Sequence, residues 1–147
     1  MRKTFQTEFN QNRLHVWLLL LRILVAAFML THGLPKFYRL MTGNFEFADP
    51  IGIGEPATLF LAVFAEVICS TFIFVGLGTR LATVPLIATM LVAAFISNWN
   101  DLFGKKELPL LYLFIYVTLL VLGSGKYSLD FLLSSRLTQA KTGNGRR

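Results

Sequence analysis

Four long apolar runs dominate the chain. The first covers about Leu14–Leu34 and is interrupted by Arg22 and His32. The second, about Pro56–Leu77, is interrupted only by Glu66. The third is about Leu81–Trp99, and the fourth is about Leu108–Leu122, reaching as far as Gly125. A water-soluble core helix rarely needs more than about 14 consecutive apolar residues, whereas about 20 in a helix cross the ~30 Å of hydrocarbon in a bilayer. The first three runs approach or reach that length. The fourth is short, so flanking residues or a locally thinner bilayer must complete its crossing. The pattern predicts an all-α integral membrane four-helix bundle with antiparallel, up-down spans.

The punctuation between runs has local causes. Pro56 and Pro109 fall in expected first helical turns, where a missing N–H costs nothing. Gly76-Leu77-Gly78-Thr79 predicts a tight turn between spans two and three, and Gly123-Ser124-Gly125 ends span four. Pro85, near the start of span three, should do no more than kink it. The longest connection, about Pro35–Glu55, holds Asn44-Phe45-Glu46-Phe47, an alternation suited to an interface. This reading divides the chain into a cytoplasmic segment (1–13), the four-span domain (14–134) and a basic, disordered cytoplasmic tail (135–147).

Charge then orients the bundle. Of the 14 Lys and Arg, nine lie on the side holding the two ends and Arg80, four (Lys36, Arg39, Lys105 and Lys106) on the other, and Arg22 within a span. The excess of Lys and Arg marks the cytoplasmic face, which predicts both termini there. The net charge of +6 thus reports topology, not nucleic-acid binding. Arg2 and Lys3 resemble the start of a signal peptide. The polar stretch to Arg13 and the length of the first run predict a retained anchor instead.

Ionisable groups inside spans are the most informative. A charge at mid-bilayer costs roughly 2.5–3.5 kcal/mol on insertion scales. At 1.5 Å per residue Arg22 lies about 12 Å, and Glu66 about 16 Å, from the cytoplasmic side. That predicts an Arg22–Glu66 ion pair, either fixing helix packing or marking a polar site. Helical periodicity extends the site outward through Tyr116 to His32, Lys36, Asn98 and Glu55; for Lys36, Glu55 and Asn98 interfacial solvation is the plainer alternative, while for His32 the two readings balance. On span three, Thr89, Ala93 and Ser97 form a small-residue stripe suited to close helix contact. Arg80 and Asp130 form a second expected pair, of structural character, tying the span two–three turn to the C-terminal segment.

The single cysteine, Cys69, excludes an intrachain disulfide and a thiol-based zinc site. It reads as an inert buried thiol. No metal site is expected, and no nucleotide-binding, hydrolase or haem-attachment motif is present.

Several fragments, in order, resemble the DoxX family of small bacterial membrane proteins: Arg22 with His32-Gly33-Leu34-Pro35-Lys36; Ile53-Gly54-Glu55-Pro56; Phe64-Ala65-Glu66; Gly76-Leu77-Gly78-Thr79-Arg80; and Gly123-Ser124-Gly125-Lys126-Tyr127-Ser128-Leu129-Asp130. The similarity spans about Leu21–Leu132, with Ser124 in place of the family's common Pro. It implies a four-helix membrane domain located in the bacterial inner membrane. Family members are associated with thiosulfate:quinone oxidoreductase, with oxidative-stress complexes and, among eukaryotic relatives, with cargo handling, so the resemblance does not choose one role.

Three functions follow as expectations. The first is a membrane subunit of a redox system in which Arg22, Glu66, His32 and Tyr116 bind a quinone headgroup. It has no intrinsic cofactor, and a membrane or periplasmic protein carries the electrons. The second is a non-enzymatic binding or assembly protein. The third is a transporter of a small molecule or proton through Glu66, which would call for a homo-oligomer. The lipid bilayer is a partner in all three.

Overall fold

The computed structural model describes the backbone of residues 10–143 and the side chains of residues 10–136. The described residues are helical, with no strand. Helix α1 spans Gln11–Met41, its start capped by the Asn10 side chain accepting from the Asn12 and Arg13 N–H groups. Helix α2 spans Glu55–Val75 and α3 spans Thr79–Ser97. Helix α4 spans Phe103–Leu122, and α5 spans Leu129–Gly143.

Three of these helices, α1, α2 and α3, are long and apolar enough to cross a membrane. Helix α4 falls outside that set because Lys105, Lys106 and Glu107 occupy its beginning and leave a short apolar remainder. The packing has the inverted character such a protein needs. Phe28, Phe60, Leu81 and Phe114 point outward, while Leu18, Met29, Ile73, Leu86, Tyr116 and Leu119 are buried between helices. Helix α1 lies along the length of α2, and α3 packs against both α2 and α4.

Two boundaries differ from the sequence reading. Helix α1 does not stop near Leu34 but runs through Pro35 to Met41. A proline removes one backbone donor and clashes with one preceding carbonyl, which a helix can absorb by bending. The consequence is that Lys36 is held on a helix and not on a loop. At the other end, helix α5 continues through residues 135–143, where a disordered tail is expected. Its start is capped by Ser128, whose Oγ accepts from the Phe131 N–H at 3.2 Å. Residues 1–9 and 144–147, parts of the two expected cytoplasmic ends, lie outside the described residues.

Two helices also widen locally. Helix α2 is π-helical over Phe64–Cys69 and α3 over Val92–Ser97. Such bulges are rare and occur frequently at functional sites. Here the two flank one cavity.

Candidate functional site

The centre of the site is an ion pair between Lys36 and Glu66, with Lys36 Nζ donating to Glu66 Oε1. Glu66 is buried, and the Lys36 side chain is a quarter exposed. Gly33 makes this approach possible. A Cβ on Gly33 would stand 2.9 Å from Val67 Cγ2 and 3.0 Å from Glu66 Cβ, so α1 and α2 touch backbone to side-chain root there. Lys36, one turn further along α1, is thereby delivered to the carboxylate.

Two cavities meet at the pair. The larger, about 440 Å3, lies between α2, α3 and the 42–54 loop that joins α1 to α2. Its walls are mostly apolar, including Leu61, Phe64, Pro85, Ala88 and Val92. Phe47, Pro50 and Ile51 of the loop close one side. The smaller, about 190 Å3, is lined by Met29, His32, Met90, Pro109 and Tyr112, and shares Lys36, Glu66 and Ala93 with the first. Thr89, Ala93 and Ser97, the stripe expected to bring helices into contact, instead line the larger cavity. Small side chains there leave space because the facing π-helical stretch of α2 presents Phe64, Ala65 and Glu66 across a gap.

The 42–54 loop is held over the cavity by Asp49. Its carboxylate accepts from the Thr58 hydroxyl at 2.6 Å and from the N–H groups of Gly54 at 2.7 Å and Ile53 at 3.2 Å. The Thr58 hydroxyl above all, with the backbone donors, holds the Asp49 carboxyl below its ordinary range. Lys36 Nζ also sits 5.7 Å from the centre of the Phe47 ring, near enough for cation–π attraction.

The expected Arg22–Glu66 pair does not form. Arg22 is fully buried, and its Nη2 donates to the Tyr127 carbonyl at the base of α5. Its Nη1 lies against Gly76, where a Cβ would be 1.8 Å away. The register explains the difference. Gly33 lies opposite Glu66 and Arg22 opposite Gly76, so about 16 Å of helix separates the two levels on α1. Depths counted from the ends of apolar runs missed this because α1 extends beyond its run at both ends. Val25, Ala26, Met29, Ile73 and Leu119 fill the interior between the levels.

The Arg80–Asp130 ion pair is likewise replaced. Asp130 accepts from the N–H groups of Gly78 at 2.7 Å and Thr79 at 3.2 Å, capping α3, while Arg80 donates to the Val121 carbonyl at 3.2 Å. The expected tie between the turn and the C-terminal segment exists, made by carboxylate to backbone. A helix N-terminus, with unpaired N–H groups and positive dipole end, competes well for an anion.

Of the remaining candidates, His32 and Tyr112 meet edge to face with ring centres 6.1 Å apart, and Tyr112 stacks on Tyr116 at 6.1 Å and 18°. Tyr116 is fully buried beside the pair. Asn98 is elsewhere in its bonding: it donates to the Lys105 carbonyl at 3.4 Å and ties α3 to α4. Cys69 is buried and unpaired with another thiol. Asp49 and the loop wall were missed by sequence reasoning. The alternation at Asn44–Phe47 signalled an interfacial segment, but nothing in it indicated folding back over α2.

A bundle of apolar helices with lipid-facing aromatics and an ion pair buried between two of them defines a multi-helix integral membrane protein. Residues 17–99 match the DoxX family, and the chain belongs to it. It is also similar to an uncharacterized membrane protein of Mycobacterium tuberculosis, 32% identical over 140 residues, which takes in 80% of this chain and 82% of that protein. No solved structure matches the chain.

Proposed function

We propose that the protein binds an amphiphilic small molecule in the larger cavity, with the polar head at the Lys36–Glu66 pair and the apolar part between α2 and α3. One observation carries this reading: an apolar cavity of about 440 Å3 ends on an ion pair whose carboxylate is buried. That combination, apolar walls with a few convergent polar groups, is how small-molecule sites are built. Two π-helical stretches on its flanks support it. The buried apolar layer between this level and Arg22 favours binding over passage through the bundle.

The redox expectation is kept in this form: the chain is a membrane subunit that presents a quinone headgroup to a redox partner in or outside the membrane. It supplies the ligand site and no electron carrier of its own. All four helices α1–α4 cross the inner membrane, both termini face the cytoplasm, and the cavity lies toward the outer face. Lys105 and Lys106 then sit at the outer boundary, where long side chains reach the headgroups.

The test is lipophilic extraction of the purified protein followed by mass spectrometry, beside the Glu66→Gln variant. A quinone enriched over bulk lipid in the parent and lost in the variant supports the reading. Equal recovery from both removes the pair from the site. Single-cysteine labelling at residues 51 and 124, in a Cys69→Ala background, should place the first outside and the second inside. The reverse, or one common side, overturns the four-span topology.

A further inference from the structure

The polar chemistry of the site is unbalanced, and the imbalance specifies the head it accepts. Glu66 is 3% exposed. Its Oε1 is satisfied by Lys36, but its Oε2 has no hydrogen-bond partner among the described residues. The neighbouring hydroxyls do not supply one. Ser70 Oγ and Tyr116 Oη are both fully buried and face each other, and neither is bonded to Glu66. A carboxylate in an ion pair only accepts, and leaving a buried acceptor unmade carries its full desolvation cost.

Resting on the cavity reading above, we propose that the ligand's head bears a hydroxyl or amine donor for Glu66 Oε2. The site therefore takes a hydroxylated amphiphile (of a quinone, its reduced quinol form) in preference to one whose head carries only carbonyl or ether oxygens. A carbonyl or ether oxygen brought to Oε2 places lone pair against lone pair and leaves the acceptor unmet. A hydroxyl donates to it and keeps its own oxygen free to accept from Lys36 Nζ, which has three donors. Sites that hydrogen-bond a substrate hydroxyl discriminate strongly against the analogue lacking it, because the protein group is left unpaired. Bonds to a charged partner are the stronger kind, so the expected preference is about ten- to a hundredfold.

Two probes of matched shape test this: 4-octylphenol and its methyl ether, 4-octylanisole, titrated into the detergent-purified protein and into the Glu66→Gln variant. Binding is followed by calorimetry. The phenol should bind at least tenfold more tightly than the ether in the parent. The two should approach parity in Glu66→Gln, whose amide can donate as well as accept. Equal affinity of phenol and ether in the parent overturns the donor requirement while leaving the cavity reading intact. Preference persisting in Glu66→Gln also overturns it, by assigning the selectivity elsewhere. Saturable binding of neither probe sinks the cavity reading itself. A thermal melt of the variant, compared with Lys36→Met, shows whether the protein remains folded in each titration.

Discussion

Gly33 and Glu66 are in direct contact across the α1–α2 interface, so close that a Cβ on the glycine would stand 3.0 Å from the Cβ of the glutamate. Such approach lets van der Waals packing hold membrane helices together in place of the hydrophobic effect. Gly33→Ala should therefore force the helices apart and cost about 1–3 kcal/mol, the usual cost of overpacking. Gly33→Val should cost more. Unfolding of the purified variants in mixed detergent measures this. A Gly33→Val variant as stable as the parent would mean the interface yields freely.

Breaking the ion pair from the lysine side should be worse than removing both charges. Lys36→Met leaves the Glu66 carboxylate buried without its partner. About 3–5 kcal/mol is typical for a fully buried pair, and less is expected here because Lys36 is a quarter exposed. The Lys36→Met, Glu66→Gln double variant should recover much of the loss. A double-mutant cycle reads the coupling, and additivity within error would deny any energetic contact between the two groups.

Arg22 belongs to a different part of the molecule, and its variants should behave accordingly. Arg22→Leu removes a buried guanidinium and leaves the Tyr127 carbonyl without its donor, which should destabilise the bundle by about 1–3 kcal/mol. Ligand binding per folded molecule should be unchanged, since the two cavities at the Lys36–Glu66 pair do not include Arg22. Gly76→Ala should damage the same end. Gly76 has φ 73°, and the added Cβ would also meet Arg22 and, at 2.7 Å, Ser128. Loss of affinity at the Lys36–Glu66 site in folded Arg22→Leu would show the two ends to be coupled.

The 42–54 loop should loosen in acid. Asp49, held below its ordinary value of 3.8 by the Thr58 hydroxyl first and by backbone donors, is more easily ionised in the folded loop than in the open one. Its contribution is therefore present above that ordinary value and is lost as pH falls through the lower folded value. Hydrogen exchange at the Ile53 and Gly54 amides, corrected for intrinsic pH dependence, should rise relative to neutral pH only below about pH 4, the region of the ordinary carboxylate value. Asp49→Asn should show the raised exchange at neutral pH and no acid step. An unchanged acid step in that variant would assign it to another group.

That His32 and Lys36 lie toward one side of the same helix was legible from helical periodicity, because residues three or four apart share a face whatever lies opposite. The partner of Glu66 was not. Both Arg22 and Lys36 are cations on the Glu66-facing side of the same helix, and one-dimensional depth counting cannot rank them when a helix outruns its apolar stretch. The stripe of Thr89, Ala93 and Ser97 was legible as a stripe but not as a wall. Small residues permit either close contact or open space, and the facing helix decides which.

The sequence by itself determined that this chain is helical and membrane-embedded, because the length and polarity of an apolar run act locally on insertion and backbone hydrogen bonding. It also carried the family's fragments. Only the tertiary structure decided that Lys36, and not Arg22, meets Glu66, that Asp130 caps α3 instead of pairing with Arg80, and that a cavity opens beside two π-helical stretches. Those outcomes depend on register between helices, and register is set by close contacts such as Gly33 on Glu66 and Gly76 on Arg22 that no single segment contains.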